Sequence, residues 1–245
     1  MWTRMQLKAN GKQMFCKNYW ECVAVSLIMG FFSTIPNYNS TRLNLKTYGD
    51  GLSEFNDIYM SSSEIRKGFV AALAISTMLG LFLMVAGALL KIFVGNVLEV
   101  GGNRFFIENR TRKAGLKTLL VPFRSGHYGN VALTMFLMNL YISLWTMLFV
   151  IPGIIKTYEY LMVPYIIAEN PEMDRREAFA ISKRMMDGEK WNAFVLTLSF
   201  LGWLMLDLLT CGILGLLFVT PYIHATYAEL YTYNKIKAYN EGYIR

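Results

Sequence analysis

Long apolar stretches alternate with short polar ones along most of this chain, and the apolar stretches have helix length. A hydrocarbon core of about 30 Å, crossed at about 1.5 Å per residue, needs roughly 20 consecutive apolar residues. The pattern predicts six crossing helices, at about 21–35, 69–97, 130–151, 154–168, 191–209 and 213–231. The first is short, ends at Pro36, and carries Tyr19 and Trp20 as interfacial anchors. In the second, Ala72, Ser76 and Gly80 recur at every fourth residue, a spacing that lets helix backbones approach closely. Between the third and fourth, Pro152-Gly153 is expected to reverse the chain, because a single helix over 130–168 would reach about 60 Å. Pro164 and Pro221 are expected to kink their spans, and Thr210-Cys211-Gly212 to turn the chain between the last two.

The polar stretches predict three interfacial or cytoplasmic helices, at about 3–18, 110–123 and 171–187. In the first, Arg4, Lys8 and Lys12 recur at helical spacing, with Met5, Ala9, Met14 and Phe15 as its apolar surface. The third has the charge order of a capped helix. Asp174 and Glu177 stand at its start, Lys183 and Arg184 near its end, and Gly188 beyond it. Residues 37–67 form the one long polar connection on the expected outer side, with balanced charges.

Composition agrees with a membrane chain, at 54% hydrophobic and 17% charged over 245 residues, where soluble domains run near a quarter charged. The net charge of +7 sharpens the topology. Eighteen of the 24 Lys and Arg fall on the side shared by both termini, which predicts an N-in, C-in bundle. The expected fold is therefore an all-α polytopic membrane helical bundle, read as one integral domain over 1–245. Its natural partners are the bilayer and anionic headgroups at the cytoplasmic face, met by Arg110, Arg112, Lys113 and Lys117. A membrane-protein partner or a second copy is the macromolecular partner such a bundle would take, and nucleic acid is not expected. Cys16, Cys22 and Cys211 have no metal-like spacing and no expected disulfide.

Candidate chemistry is sparse. Ionised groups inside a span are costly and seldom kept without a partner. Lys156 and Glu159 lie three apart in the fourth span, with Asp207 at similar expected depth in the fifth, so an ion pair of Lys156 with either acid is expected. His224, beside Tyr222 and Tyr227, has the chemistry of a proton relay or of an interhelical hydrogen bond. Glu229 is placed to meet the basic helix 171–187. The chain carries no Gly-rich phosphate loop, G-x-S-x-G, H-E-x-x-H or Cys/His cluster, so neither an enzyme nor a metal or other cofactor is expected. Asn109 heads an N-x-T sequon on the expected cytoplasmic side, where it would not be used.

Two segments look alike. Val163-Pro164-Tyr165-Ile166 resembles Thr220-Pro221-Tyr222-Ile223, each after a glycine-containing reversal, as a duplicated hairpin would give. A run of motifs also resembles a known family. They include Gly101-Gly102 with Phe106 and Asn109, then Phe123, Gly126, Tyr128 and Asn130. Next come Ile151-Pro152-Gly153-Ile154-Ile155-Lys156, Pro164-Tyr165 and Ala168-Glu169-Asn170-Pro171. Ser182-Lys183 with Met186 and Gly188, Leu198-Ser199-Phe200 with Gly202-Trp203, and Pro221-Tyr222 complete the series. In this order they resemble the domain-of-unknown-function 975 (DUF975) family of bacterial integral membrane proteins. That resemblance implies a multi-pass protein of a bacterial cytoplasmic membrane and no transferable activity. More distantly, the chain is similar to the membrane-embedded domains that accompany some glycerophosphodiester phosphodiesterases, without matching their catalytic domain. The expected role is a non-enzymatic accessory or scaffold component of a transport, secretion or envelope-lipid system. The alternative is a small-molecule or peptide permease with a polar site around Lys156, Glu159 and Asp207.

Overall fold

A computed structural model describes residues 2–34 and 63–244 of the chain. Most of the outer connection expected at 37–67, and Pro36, lie outside the described residues. The described residues are helical and include no strand. They fall into two compact units, Ser33–Lys91 and the remainder, Met1–Phe32 with Ile92–Arg245.

The first unit contains helix α3 (Ser63–Leu90). Ser76 and Thr77 return their hydroxyls to the Leu73 carbonyl at 2.9 Å, which satisfies them within their own helix. A π-turn, Lys91–Gly95, follows. The apolar run expected at 69–97 belongs to a longer helical stretch, Lys67–Glu108, of 42 residues.

In the larger unit, α1 (Arg4–Lys17) is capped by Thr3, whose hydroxyl accepts from the Gln6 amide, and α2 runs Tyr19–Thr34. The α1 face that is buried is Leu7, Gly11, Met14 and Phe15, at helical spacing, whereas Met5 stands exposed. Gly11 lies against the backbone of Thr226, where a Cβ would meet the threonine at 2.7 Å. Helix α4 (Asn96–Glu108) is largely buried, and two glycines let its neighbours approach closely. A Cβ on Gly101 would collide with the Leu119 backbone, and one on Gly102 with the Met29 side chain. The helix expected over 110–123 is reduced to a 3-10 turn, Leu116–Leu120, and the single-turn α5, Val121–Arg124, with Pro122 in its first turn.

Helices α6 (Tyr128–Leu148) and α7 (Val150–Glu159) are two pieces, not one kinked rod. The reversal falls at Phe149, which is extended at φ −152°, ψ 139°, and not at Pro152-Gly153. Proline suits the first turn of a helix, where its absent N–H has no intrahelical partner, so α7 begins before it. Gly153 then packs against Thr146 across the hairpin, and that close approach is what its missing side chain permits. After a turn, α8 (Val163–Glu169) starts with Pro164 second. Helix α9 (Arg175–Met185) falls within the helix expected at 171–187: Asp174 caps it through the Arg176 amide at 3.0 Å, and Gly188 follows at φ +72°.

Helices α10 (Lys190–Leu198) and α11 (Leu201–Leu209) divide the next apolar stretch at Ser199-Phe200. Cys211 (φ 53°) and Gly212 (φ 85°) reverse the chain as expected. A π-turn, Gly215–Val219, leads into α12 (Thr220–Asn240), so the ladder is irregular where the Pro221 ring cannot donate. Both Pro-Tyr pairs thus stand in the first turn of a helix, and both tyrosines are buried.

Among the described residues, three helical stretches are long and apolar enough to cross a membrane: Lys67–Glu108, Tyr128–Leu148 and Lys190–Leu209. Tyr19–Phe32 is a shorter apolar helix. Met147–Ile151 and Leu208-Leu209 present large apolar side chains outward, with Met147 89% and Leu208 82% exposed. The buried carboxylates, by contrast, lie away from these reversals, at Glu159, Glu189 and Glu229.

Candidate functional site

Glu159 ends α7 with only 4% of its surface exposed. A carboxylate removed from water to that degree is tolerated only when paired and hydrogen-bonded. Lys156, one helical turn earlier, donates to both of its oxygens at 3.0 and 3.1 Å. Lys190, at the start of α10, approaches to 3.4 Å, and Lys183 of α9 to 3.8 Å. Three ammonium groups around one carboxylate leave two positive charges in excess. The aromatic rings of Trp145 and Tyr160 lie 5.5 and 5.6 Å from the Lys156 ammonium, within cation–π range. Ser182 fixes the corner: its hydroxyl donates to the Glu159 carbonyl at 2.8 Å and accepts from the Met162 amide at 3.3 Å. Lys156 and Glu159 are therefore brought together, and Lys183 and Lys190 join them. Spacing along one helix could reveal only the first pair.

Asp207 belongs to a different assembly. Its carboxylate accepts from the Gly215 amide at 2.5 Å, across the α11 reversal, and its carbonyl accepts from Gly212 at 3.0 Å. It locks a turn and makes no ion pair with Lys156. Gly215 is required there, because a Cβ would fall on that carboxylate. His224 stacks on Phe106 with ring centroids 5.4 Å apart. Nearby, a hydroxyl chain links α7, α10 and α12: Tyr158 donates to Thr197 at 3.1 Å, and Thr197 lies 2.6 Å from the Tyr227 hydroxyl.

The basic residues expected at lipid phosphates separate into two kinds. Arg110 grips Glu229 with two hydrogen bonds, 2.7 and 3.2 Å. Glu229 therefore meets Arg110, not the helix at 171–187, because α4 packs on α12 and delivers the guanidinium there. Arg112 reaches Glu108 at 2.8 Å, while Lys113 and Lys117 stand exposed. Glu169 receives the Tyr231 hydroxyl at 2.7 Å and Lys235 at 2.5 Å, and Glu189 receives Asn192 at 3.1 Å with Lys237 at 3.5 Å. A groove of about 490 Å³ runs between Arg110, Arg112, Glu108, Glu169 and Lys235, whose charges are already paired within the protein. Asn109 is 1% exposed, accepts from Asn18 at 3.0 Å and donates to the Met14 carbonyl at 3.3 Å. Its sequon is sterically closed.

Among the described residues, no three His, Cys, Asp or Glu side chains are grouped to hold a metal ion. All three cysteines are free, with Cys22 buried and Cys16 and Cys211 exposed. A family model described as "Protein of unknown function (DUF975)" matches residues 11–240. No curated protein and no solved structure matches the chain.

Proposed function

We propose that this chain, which belongs to the DUF975 family of proteins of unknown function, is a multi-pass protein of the bacterial cytoplasmic membrane. In this reading six spans alternate across the bilayer with both termini inside, and the protein acts as a non-enzymatic accessory or scaffold component of a transport, secretion or envelope-lipid system. Three helices of crossing length support the membrane placement, as do the uncovered apolar reversals at Met147–Ile151 and Leu208-Leu209. In water, such patches would drive association. The count of basic residues supports the orientation.

The observation that carries the scaffold role is the closure of the buried ions. Glu159, Glu189 and Glu229 each have cationic partners from this chain itself, in place of a carboxylate left open toward a cavity. A permease needs a polar site that can exchange partners, and the one read from the sequence loses Asp207 to the Gly215 amide. The test is reconstitution beside cross-linking in native membranes. A stoichiometric membrane-protein partner, with no solute flux in proteoliposomes, is expected. Flux that disappears in Lys156→Met, while the variant still purifies in normal yield, would overturn the scaffold reading in favour of the permease.

A further inference from the structure

The face of α1 that holds Arg4 and Lys8 meets α10 across a groove of about 590 Å³, within the size range of small-ligand sites. Trp2, Arg4, Met5, Lys8, Trp191 and Val195 are among its lining residues, and no acidic side chain is. Arg4 is exposed and has no carboxylate within ion-pair distance among the described residues. Lys8 donates to the Ser199 carbonyl at 2.8 Å, in the break between α10 and α11, with its ammonium 4.1 Å from the centre of the Phe200 ring. One hydrogen bond to a neutral carbonyl leaves its charge uncompensated. Burial, and then the adjacent Arg4 charge, lower the Lys8 pKa from its ordinary value. Trp2 buries an indole N–H that meets no acceptor. Two cations line one concavity without an acid beside them, in contrast to the groove at Arg110 and Glu169, where each charge is paired.

We propose that this groove seats the phosphate headgroup of an anionic phospholipid between Arg4 and Lys8, with its acyl chain running along α10 and α11. The second half of that statement rests on the wall of the groove. Trp191, 71% exposed, stands at its rim, and indole rings favour the boundary between headgroups and hydrocarbon. From Val195 the wall continues through exposed Leu198, Leu201 and Met205, on a helical stretch long enough to cross a bilayer. A free phosphate would use the cations and leave that apolar track uncovered. A lipid uses both. The inference deepens the membrane reading above and depends on it.

The test is native mass spectrometry of the full chain in detergent, titrated with phosphatidylglycerol, phosphatidylcholine or inorganic phosphate. The wild-type chain should retain phosphatidylglycerol in preference to phosphatidylcholine. Arg4→Gln should weaken phosphatidylglycerol about 5-fold and Arg4→Gln with Lys8→Gln about 30-fold, the worth of one and two basic groups beside an anionic headgroup. Phosphatidylcholine binding should not change, nor should Lys113→Gln reproduce the loss. Because Lys8 is bonded into the fold through the Ser199 carbonyl, Arg4→Glu, at an exposed position, provides the second variant, with a loss larger than that of Arg4→Gln. Unchanged phosphatidylglycerol preference in Arg4→Gln and Arg4→Glu overturns the site. So does displacement of the lipid by equimolar inorganic phosphate, which would assign the groove to a soluble anion. Failure of the membrane reading has a separate signature: a chain that stays monodisperse without detergent and retains neither lipid.

Discussion

The body built around α4, α9 and α12 and the two hairpin reversals face opposite problems. In the body, carboxylates are buried and cations are brought to them: Arg110 to Glu229, three lysines to Glu159, Lys237 to Glu189. At the reversals, large apolar side chains are left uncovered, from Met147 to Ile151 and at Leu208-Leu209. The first arrangement hides charge from a poor solvent for charge. The second offers hydrocarbon to a surrounding that must itself be hydrocarbon, or be covered by a partner. The same chain therefore pairs its buried carboxylates where it packs on itself and leaves large apolar side chains uncovered at the reversals. That contrast is what the proposed membrane placement explains: the apolar side chains leading into each reversal meet lipid and need no protein partner, while the turn at Cys211-Gly212 stands at the outer aqueous boundary.

The sharpest way to break the comparison is to open one of the body's ion pairs. Arg110→Ala leaves Glu229 buried and unpaired, and the expected loss is about 3–5 kcal/mol, read from thermal unfolding in detergent. Arg110→Met with Glu229→Leu removes both charges and should recover most of that stability, whereas a double variant no better than the single would show that the pair has no special role. A smaller effect is expected at the second hairpin. Gly215→Ala places a methyl on the Asp207 carboxylate and should cost about 1–3 kcal/mol, while Gly215→Ala with Asp207→Ala should be milder than Gly215→Ala alone plus Asp207→Ala alone. The smallest belongs to Arg112, mostly exposed beside Glu108: Arg112→Ala should move stability by about 1 kcal/mol or less, diminishing further in high salt. An Arg112 effect as large as that of Arg110 would erase the distinction between closed and solvated charges.

Much of this was legible in the residues because it is local. The capping of α9 by Asp174, the turn at Cys211-Gly212 and the Lys156–Glu159 pair all follow from contacts within a few positions. The reversal at Phe149 was not, since Pro152-Gly153 obeys the rules for a break and equally those for a first helical turn. Packing decided between them, through Gly153 on Thr146. Partners remote in sequence were beyond periodicity altogether. Helical spacing places Glu229 on a face, but nothing local states that a guanidinium 119 residues earlier will meet it. The same holds for Asp207, whose expected depth matched Lys156 but whose carboxylate found a backbone amide in its own hairpin. The Lys8 ammonium shows the converse: its spacing with Arg4 is visible in the sequence, and the groove that gives it meaning is not.

Membrane sidedness tests the central claim most directly, and the chain supplies one of the probes. Cys211 is exposed at the second reversal, and Lys113 is exposed in the body. With Cys16 and Cys22 replaced by Ala and Lys113→Cys introduced, intact cells are treated with a membrane-impermeant maleimide. Six spans with both termini inside require label on Cys211 and none on position 113 until the cells are permeabilised. Label on position 113 in intact cells, with Cys211 protected, would contradict the proposed topology.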